Sequence, residues 1–314
     1  MRQLTIISGA GINIGISKAC PEANELLGFT YQKISQGVYR KVSAEIQEMF
    51  NPDSFDYILG GLLTVNLAIE KTKRDLRRFK MNEKAFAALF KQSHIERSIE
   101  SALEQIERDL KISLEQMLGV VKTFQPAIGK LAEEYDSINY FTLNFDRIFD
   151  HMLLGPQYRR RQHCTDFWNH KGELNKEAAA KIKIFHLHGD LTYKPNKQTK
   201  YSKNGYRWPV LVVGDQEVKM GIIASNPALL FYNQRLRAVC DKRDGIDENN
   251  LAIVGFGFRD EDEHIVKQIK HGIKNEVFDN VHLFDVNNTL DGVCTHHQWT
   301  KANETSLIDF LGTI

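Results

Sequence analysis

Residues 4–15, LTIISGAGINIG, form an apolar run that passes directly into a turn of small residues. The run predicts a buried β-strand, and Gly9, Ala10 and Gly11 predict a turn where backbone can come very close to a ligand. No bulky side chain there keeps a phosphate from the main-chain amides, and a helix starting soon after aims its positive end at the same spot. The stretch points to a nucleotide-binding turn. Its spacing is GxGxxxG, not the GxGxxG of a dinucleotide fingerprint, and no acidic residue closes a second strand about 20 positions on. A tight strand-to-helix turn with no ligand is the competing reading.

The 314 residues suffice for one large α/β domain with an insert, or for two domains. Charged residues make up 26% and hydrophobic residues 42%, which is the balance of a soluble globular protein and excludes a disordered class. With a formal net charge of +1, the overall field selects no partner, so no direct nucleic-acid binding is expected without a local patch. The chain enters a strand almost at once, so no cleavable signal is expected, and no apolar run approaches the ~20 residues of a membrane span. A cytoplasmic protein with no membrane partner is the expectation. Cys20, Cys164, Cys240 and Cys294 are scattered with no CxxC, so neither a disulfide framework nor a zinc ribbon is encoded.

Beyond the glycine turn, residues 17–27 suit a helix with Pro21 in its first turn. Residues 39–135 are nearly all helical in pattern, and Ile95, Ile99, Leu103, Ile106, Leu110, Leu114, Met117 and Val121 mark a long amphipathic helix from about Ser93 to Phe124. About a hundred helical residues exceed what a crossover between parallel strands requires, so 39–135 is expected to be a helical insert subdomain. Residues 1–38 and 136–314 would then form the sheet-bearing domain. Strand patterns return at 138–143, 182–187, 251–254 and 280–286. Asn226 and Pro227 resemble an N-cap and first helical position, Asp260 and Glu263 mimic a capping box, and a last helix fits 304–311. Residues 158–181 suit a polar excursion, and 194–208 suits a solvated loop, with a ligand lid as the alternative. Repeated strand-turn-helix units predict an α/β fold: a Rossmann-like, mostly parallel sheet with helices on both faces and the large helical insert.

Four segments, SGAGIN (8–13), TLNFD (142–146), HLHGD (186–190) and GFGFRD (255–260), place small or polar residues immediately after an apolar strand. In a parallel sheet all four ends lie on one edge, where ligands bind. This order of motifs resembles the sirtuin superfamily, and more closely its bacterial SIR2-like NAD-hydrolase branch. The resemblance covers much of the sheet and little of 39–135. It implies that Gly9, Ala10, Gly11 and Asn13 form the glycine-rich cofactor turn, although Asn13 stands where a serine is usual. Thr142, Asn144 and Asp146 match the TxNxD motif, whose Asn works at the nicotinamide ribose and whose Asp meets the carboxamide. His188 and Gly189 match the HG pair. Gly255, Gly257 and Phe258 occupy the place of a later phosphate- and ribose-side turn, and Asn287 the adenosine-side position.

Residue chemistry agrees with these roles. Breaking the bond between nicotinamide and ribose builds positive charge on the sugar, so the site must fix the ribose, orient the departing amide and position water. The Asn144 amide donates and accepts without a competing charge, and Asp146 accepts from the carboxamide NH₂. His188, with an ordinary pKa of ~6.5, suits a proton acceptor near neutral pH. His186 lies two residues earlier on the same strand; His188 is favoured because it directly precedes the glycine. Each has a bland competitor: Asn144 and Asp146 as caps of the next helix, His188 as a satisfied core histidine. His296 and His297 suit surface positions, because neighbouring side chains diverge and make no metal site.

The resemblance implies an NAD glycohydrolase that takes NAD as substrate and acts in anti-phage defence by NAD depletion. An NAD-dependent protein deacylase and a non-enzymatic NAD or ADP-ribose sensor are the alternatives. Unrestrained NAD hydrolysis harms the cell, so activity is expected to depend on a homo-oligomer or an activating partner protein. No zinc is expected: from Gly189 to Leu251 the chain holds only Cys240 where zinc-bearing sirtuins have paired cysteines.

Overall fold

The computed structural model describes residues 1–12, 30–41, 44–47, 55–89, 92–154, 181–190, 210–241 and 245–284. The helices expected at 17–27 and 304–311, the excursions at 158–181 (save Lys181) and 194–208, and the candidate residues Asn13 and Asn287 lie outside that set.

Five parallel strands form one sheet: β1 (Arg2–Ser8), β2 (Ser137–Thr142), β3 (Ile182–His186), β4 (Glu248–Val254) and β5 (Asn280–Phe284). Their order is β3-β2-β1-β4-β5, so the chain winds outward from β1 in one direction and then returns to the other side. The order reverses between β1 and β4, which makes their carboxyl ends the switch point where such sheets open a crevice. The register is even: His186, Thr142, Ser8, Val254 and Phe284 form one row across the carboxyl edge. All the candidate motifs leave the sheet from this row.

Side chains alternate between the faces of a strand. Leu4, Ile6, Ile138, Tyr140, Ile184, Ala252 and Val254 build a core on one face, and Ile7, Phe141, Phe185, Leu251 and Ile253 build one on the other. Burial on both faces explains why Ile6–Ile7, Tyr140–Phe141, Ile184–Phe185, Leu251–Val254 and Leu283–Phe284 are consecutive apolar residues. The helices follow in chain order as α1 (Thr30–Lys41), α2 (Ala44–Gln47), α3 (Phe55–Arg78), α4 (Glu83–Leu89), α5 (Gln92–Glu134), α6 (Ile148–Leu154), α7 (Gln216–Ser225), α8 (Pro227–Asp241) and α9 (Glu263–Lys274). The second half of α5, with α6, covers the first face through Phe124, Ile128, Leu131, Phe149 and Met152. Tyr232 and Leu236 of α8, with Ile265 and Ile269 of α9, cover the second. The fold is therefore a Rossmann-like α/β sheet with helices on both faces.

Helices α1 to α5 all fall between β1 and β2, and they carry a third core. Val38, Ile58, Leu59, Leu62, Ile99, Ala102, Leu103 and Ile106 gather there with Phe145, Leu211 and Val213 from loops at the sheet edge. Among the described residues, no helix is long and apolar enough to cross a membrane.

Two local expectations need correction. Helix α5 does not end near Phe124 but runs to Glu134 with Pro126 inside it. The lost proline N–H is outweighed because Phe124, Ile128 and Leu131, three and four residues apart, all bury on the sheet. Nor do Asp260 and Glu263 form a capping box: Asp260–Asp262 is a 3-10 turn, α9 begins at Glu263, and its N-cap Asp262 makes no side-chain cap bond. The Asp262 carboxylate is held by a lysine instead. By contrast, Asn226 does cap α8, its Oδ1 accepting from Ala228 N at 3.0 Å and Leu229 N at 3.2 Å.

Candidate functional site

The glycine turn after β1 packs directly on the turn after β4. Gly9 N donates to Val254 O at 3.2 Å and Gly11 N to Gly255 O at 3.0 Å. A Cβ on Gly9 would meet Gly255 O at 2.7 Å, one on Gly11 would meet Gly255 Cα at 2.7 Å, and one on Gly255 would meet Gly11 C at 2.2 Å. Gly255 also has φ +57°. These three glycines are thus required by backbone-to-backbone contact at the switch point, before any ligand is considered. The amides of Gly9 and Gly11 are spent on that contact, whereas Ala10 is exposed at the tip and the chain is helical at Gly11 and Ile12. Phe258, three residues further, holds φ +48°, a costly conformation for a side chain of that bulk, while Gly257 beside it is exposed. The Phe258 ring meets Phe256 edge-on at 4.7 Å.

Beside this turn, a hydrogen-bonded chain fixes the segment after β2. Thr142 Oγ1 accepts from Ser8 Oγ at 3.1 Å and from the Asn144 amide at 3.1 Å, and Tyr140 Oη lies 2.7 Å from Ser8 Oγ. Since the Ser8 proton goes to Thr142, the tyrosine donates to the serine. On the other side, His186 Nδ1 donates to Asn144 O at 3.0 Å and His186 Nε2 to the Asp150 carboxylate at 2.8 Å. Burial disfavours the imidazolium, but Asp150 overcomes it and raises the His186 pKa to about 9. Asn144 is therefore clamped at both its N–H and its C=O. Asp146 Oδ1 accepts from Ile148 N at 3.0 Å, so this carboxylate also starts α6.

Thr142 pairs with His186 in the sheet, which puts Asn144 and His188 each two residues beyond paired positions on the same edge. His188 is held by its backbone: its carbonyl accepts from Val212 N at 2.8 Å. Gly189 permits this because it has φ +78° and a Cβ there would lie 1.9 Å from Val210 O. The His188 side chain is buried, and its Nε2 has no hydrogen-bond partner among the described residues. Its pKa is depressed well below the usual 6.5, first by burial and then by the nearby Lys219 and His264. The ring is neutral at physiological pH.

Three residues around it carried no motif in the sequence. Asp262 Oδ1 lies 3.5 Å from His188 Nε2, Lys219 Nζ lies 2.6 Å from the same oxygen, and the His264 ring stacks near His188 with centroids 6.1 Å apart. Asp262 follows β4 and His188 follows β3, three places apart in the sheet, so their loops reach across about 14 Å to meet. Only the topology brings them together.

The structure thus joins Gly9 and Gly11 with Gly255 at the switch point, Thr142 with Asn144 through Ser8 and His186, and His188 with the Asp262–Lys219 pair. No His/Cys/Asp/Glu cluster suited to a metal ion occurs among the described residues. No family model matches the chain, and no curated protein matches it.

Proposed function

We propose that this protein hydrolyses NAD at the bond between nicotinamide and ribose. The observation that carries the reading is His188: a buried, neutral imidazole at the carboxyl edge of a Rossmann-like sheet, next in the row to a tightly clamped asparagine. A depressed pKa keeps the ring available as a proton acceptor at neutral pH. In the proposed step the C1′–N bond breaks, its electron pair neutralises the pyridinium nitrogen, and nicotinamide leaves. Water adds its oxygen to C1′ and gives its proton to His188, leaving ADP-ribose. Asn144 would hold the ribose hydroxyl or the water, and Asp146 the carboxamide. The turns at Gly9–Gly11 and Gly255–Phe258 would face the phosphates, with the exposed Ala10 tip nearest the solvent. The four motifs that resemble the SIR2-like NAD hydrolases support this substrate, and with it a role in anti-phage defence through NAD depletion under the control of self-assembly or an activating partner.

Purified protein incubated with NAD, alone or with an acetylated peptide, tests the reading by chromatography of free nicotinamide. Release from NAD alone supports hydrolysis. Release only with the peptide would make it a deacylase, and binding measured by calorimetry without any release would make it a sensor.

A further inference from the structure

We infer that Asp262 is a positioning residue that holds the His188 ring in the tautomer with its proton on Nε2, and that Lys219 anchors Asp262 for this task. The proposal rests on the hydrolase reading for its catalytic consequence, but the tautomer itself is a property of the resting protein.

The two nitrogens of the His188 ring differ in their surroundings. Nε2 is the buried one, has no hydrogen-bond partner among the described residues, and faces Asp262 Oδ1 at 3.5 Å. A buried nitrogen cannot meet the water it would deprotonate, so the accepting lone pair belongs on Nδ1. A neutral imidazole with its lone pair on Nδ1 carries its proton on Nε2, and that proton needs an acceptor. Among the described residues, Asp262 is the carboxylate beside it; the other groups facing the ring are the Lys219 ammonium from α7 and His264 from α9, whose two nitrogens have no partners in that set. Leaving a buried donor without an acceptor is destabilising, and an approach of roughly 0.5 Å brings the pair into hydrogen-bond range. Catalytic hydrogen bonds commonly tighten in this way when substrate binds.

Lys219 gives the arrangement its second property. It holds the Asp262 oxygen at 2.6 Å and offsets its charge, so Asp262 orients the ring without drawing it into the imidazolium form. Asp150, which has no lysine on it among its described contacts, does the opposite to His186. When His188 takes a proton on Nδ1 it becomes a cation with Nε2–H directed at Asp262, and the carboxylate then stabilises the charge as it forms.

Long-range proton–nitrogen spectra of protein labelled at histidine read the tautomer directly, with His188 assigned by His188→Gln. The expected result is the Nε2–H form in the parent protein and loss of that preference in Asp262→Asn. In NAD turnover, Asp262→Asn should lower kcat on the order of 10²-fold or more with KM little changed. Lys219→Met should move the acid limb of the kcat profile to higher pH, because the carboxylate is then uncompensated beside the ring. An Nδ1–H tautomer in the parent protein would overturn the proposal, as would an Asp262→Asn variant that keeps both the parent tautomer and the parent kcat. If the parent releases no nicotinamide, the hydrolase reading fails while the tautomer still decides the role of Asp262.

Discussion

Two histidines on one strand end, two residues apart, have opposite electrostatic fates, and single neighbours decide them. Both are buried, which favours the neutral ring. His186 gains Asp150 at 2.8 Å and becomes a cation with a pKa of about 9, while His188 lies among Lys219, His264 and a lysine-bound carboxylate and stays neutral. The cation does structural work by donating to Asn144 O; the neutral ring is the proposed proton acceptor. Such divergence between neighbouring titratable groups supports the proposed acid-base role of His188. The folded-state pKa of His186 is raised, so its contribution to stability is complete below about 6.5 and is lost as the pH climbs through about 9. His188 is depressed, so its contribution is present above about 6.5 and is lost as the pH falls below it. Urea unfolding across this range should show stability falling on both sides. Asp150→Asn should remove the alkaline slope and cost about 3 kcal/mol or more near neutral pH. An unchanged alkaline slope in that variant would show that His186 is not the group responsible.

At the level of elements, two glycines in helices make opposite predictions. Gly129 in α5 is exposed, with nothing within 4 Å of an added Cβ, so Gly129→Ala should stabilise by about 0.5–1 kcal/mol through helix propensity alone. Gly272 in α9 faces Phe278 Cε2 at 2.7 Å and the Cys240 carbonyl of α8 at 3.1 Å. The same substitution there should therefore cost about 1–3 kcal/mol by overpacking the α8–α9 contact. Urea midpoints of the two variants check the pair, and matching signs would contradict it. The strands were legible in the sequence because their carboxyl halves, buried on both faces, carry consecutive apolar residues. The glycine turns were legible because glycine has few other uses after a strand. What stayed hidden depends on partners far away along the chain. Lys219 and Asp262 are 43 positions apart, and Asp262 sits in an acidic run, DEDE at 260–263, that looks like an ordinary helix start. The continuation of α5 past Pro126 was hidden too, because a proline is a stop signal until tertiary packing overrides it. Gly11 is a third case: its lack of a side chain answers to Gly255 as much as to any ligand, so Gly11→Val should disturb the fold at the switch point as well as NAD affinity.

At the scale of the whole molecule, buried packing joins the helical layer to the sheet edge. Phe145, between Asn144 and Asp146, buries among Val38, Leu59, Leu103 and Ile106, so the residues proposed to hold the ribose and carboxamide are pinned to α1, α3 and α5. Gly60 of α3 lies so close to the Gly214 turn that a Cβ there would meet Gly214 Cα at 2.8 Å, which ties the same helices to the segment bearing Val212 and, through it, His188. Helix α5 completes the coupling, since its first half lies in this third core and its second half covers the sheet. A partner or second copy that prefers one arrangement of the helices would therefore bias the geometry of the Asn144 and His188 segments, by as much as its affinity differs between arrangements. Leu103→Ala tests the coupling without touching a proposed site residue. Truncating this buried leucine should cost about 2–5 kcal/mol. If the layers are one unit, the loss appears as a shift of a single unfolding transition, with faster amide exchange at Asn144 and Ile148. If α1–α5 instead melt in an earlier step while those amides and the strands keep their protection, the helical layer is an independent module. The site would then have to be controlled from the sheet side.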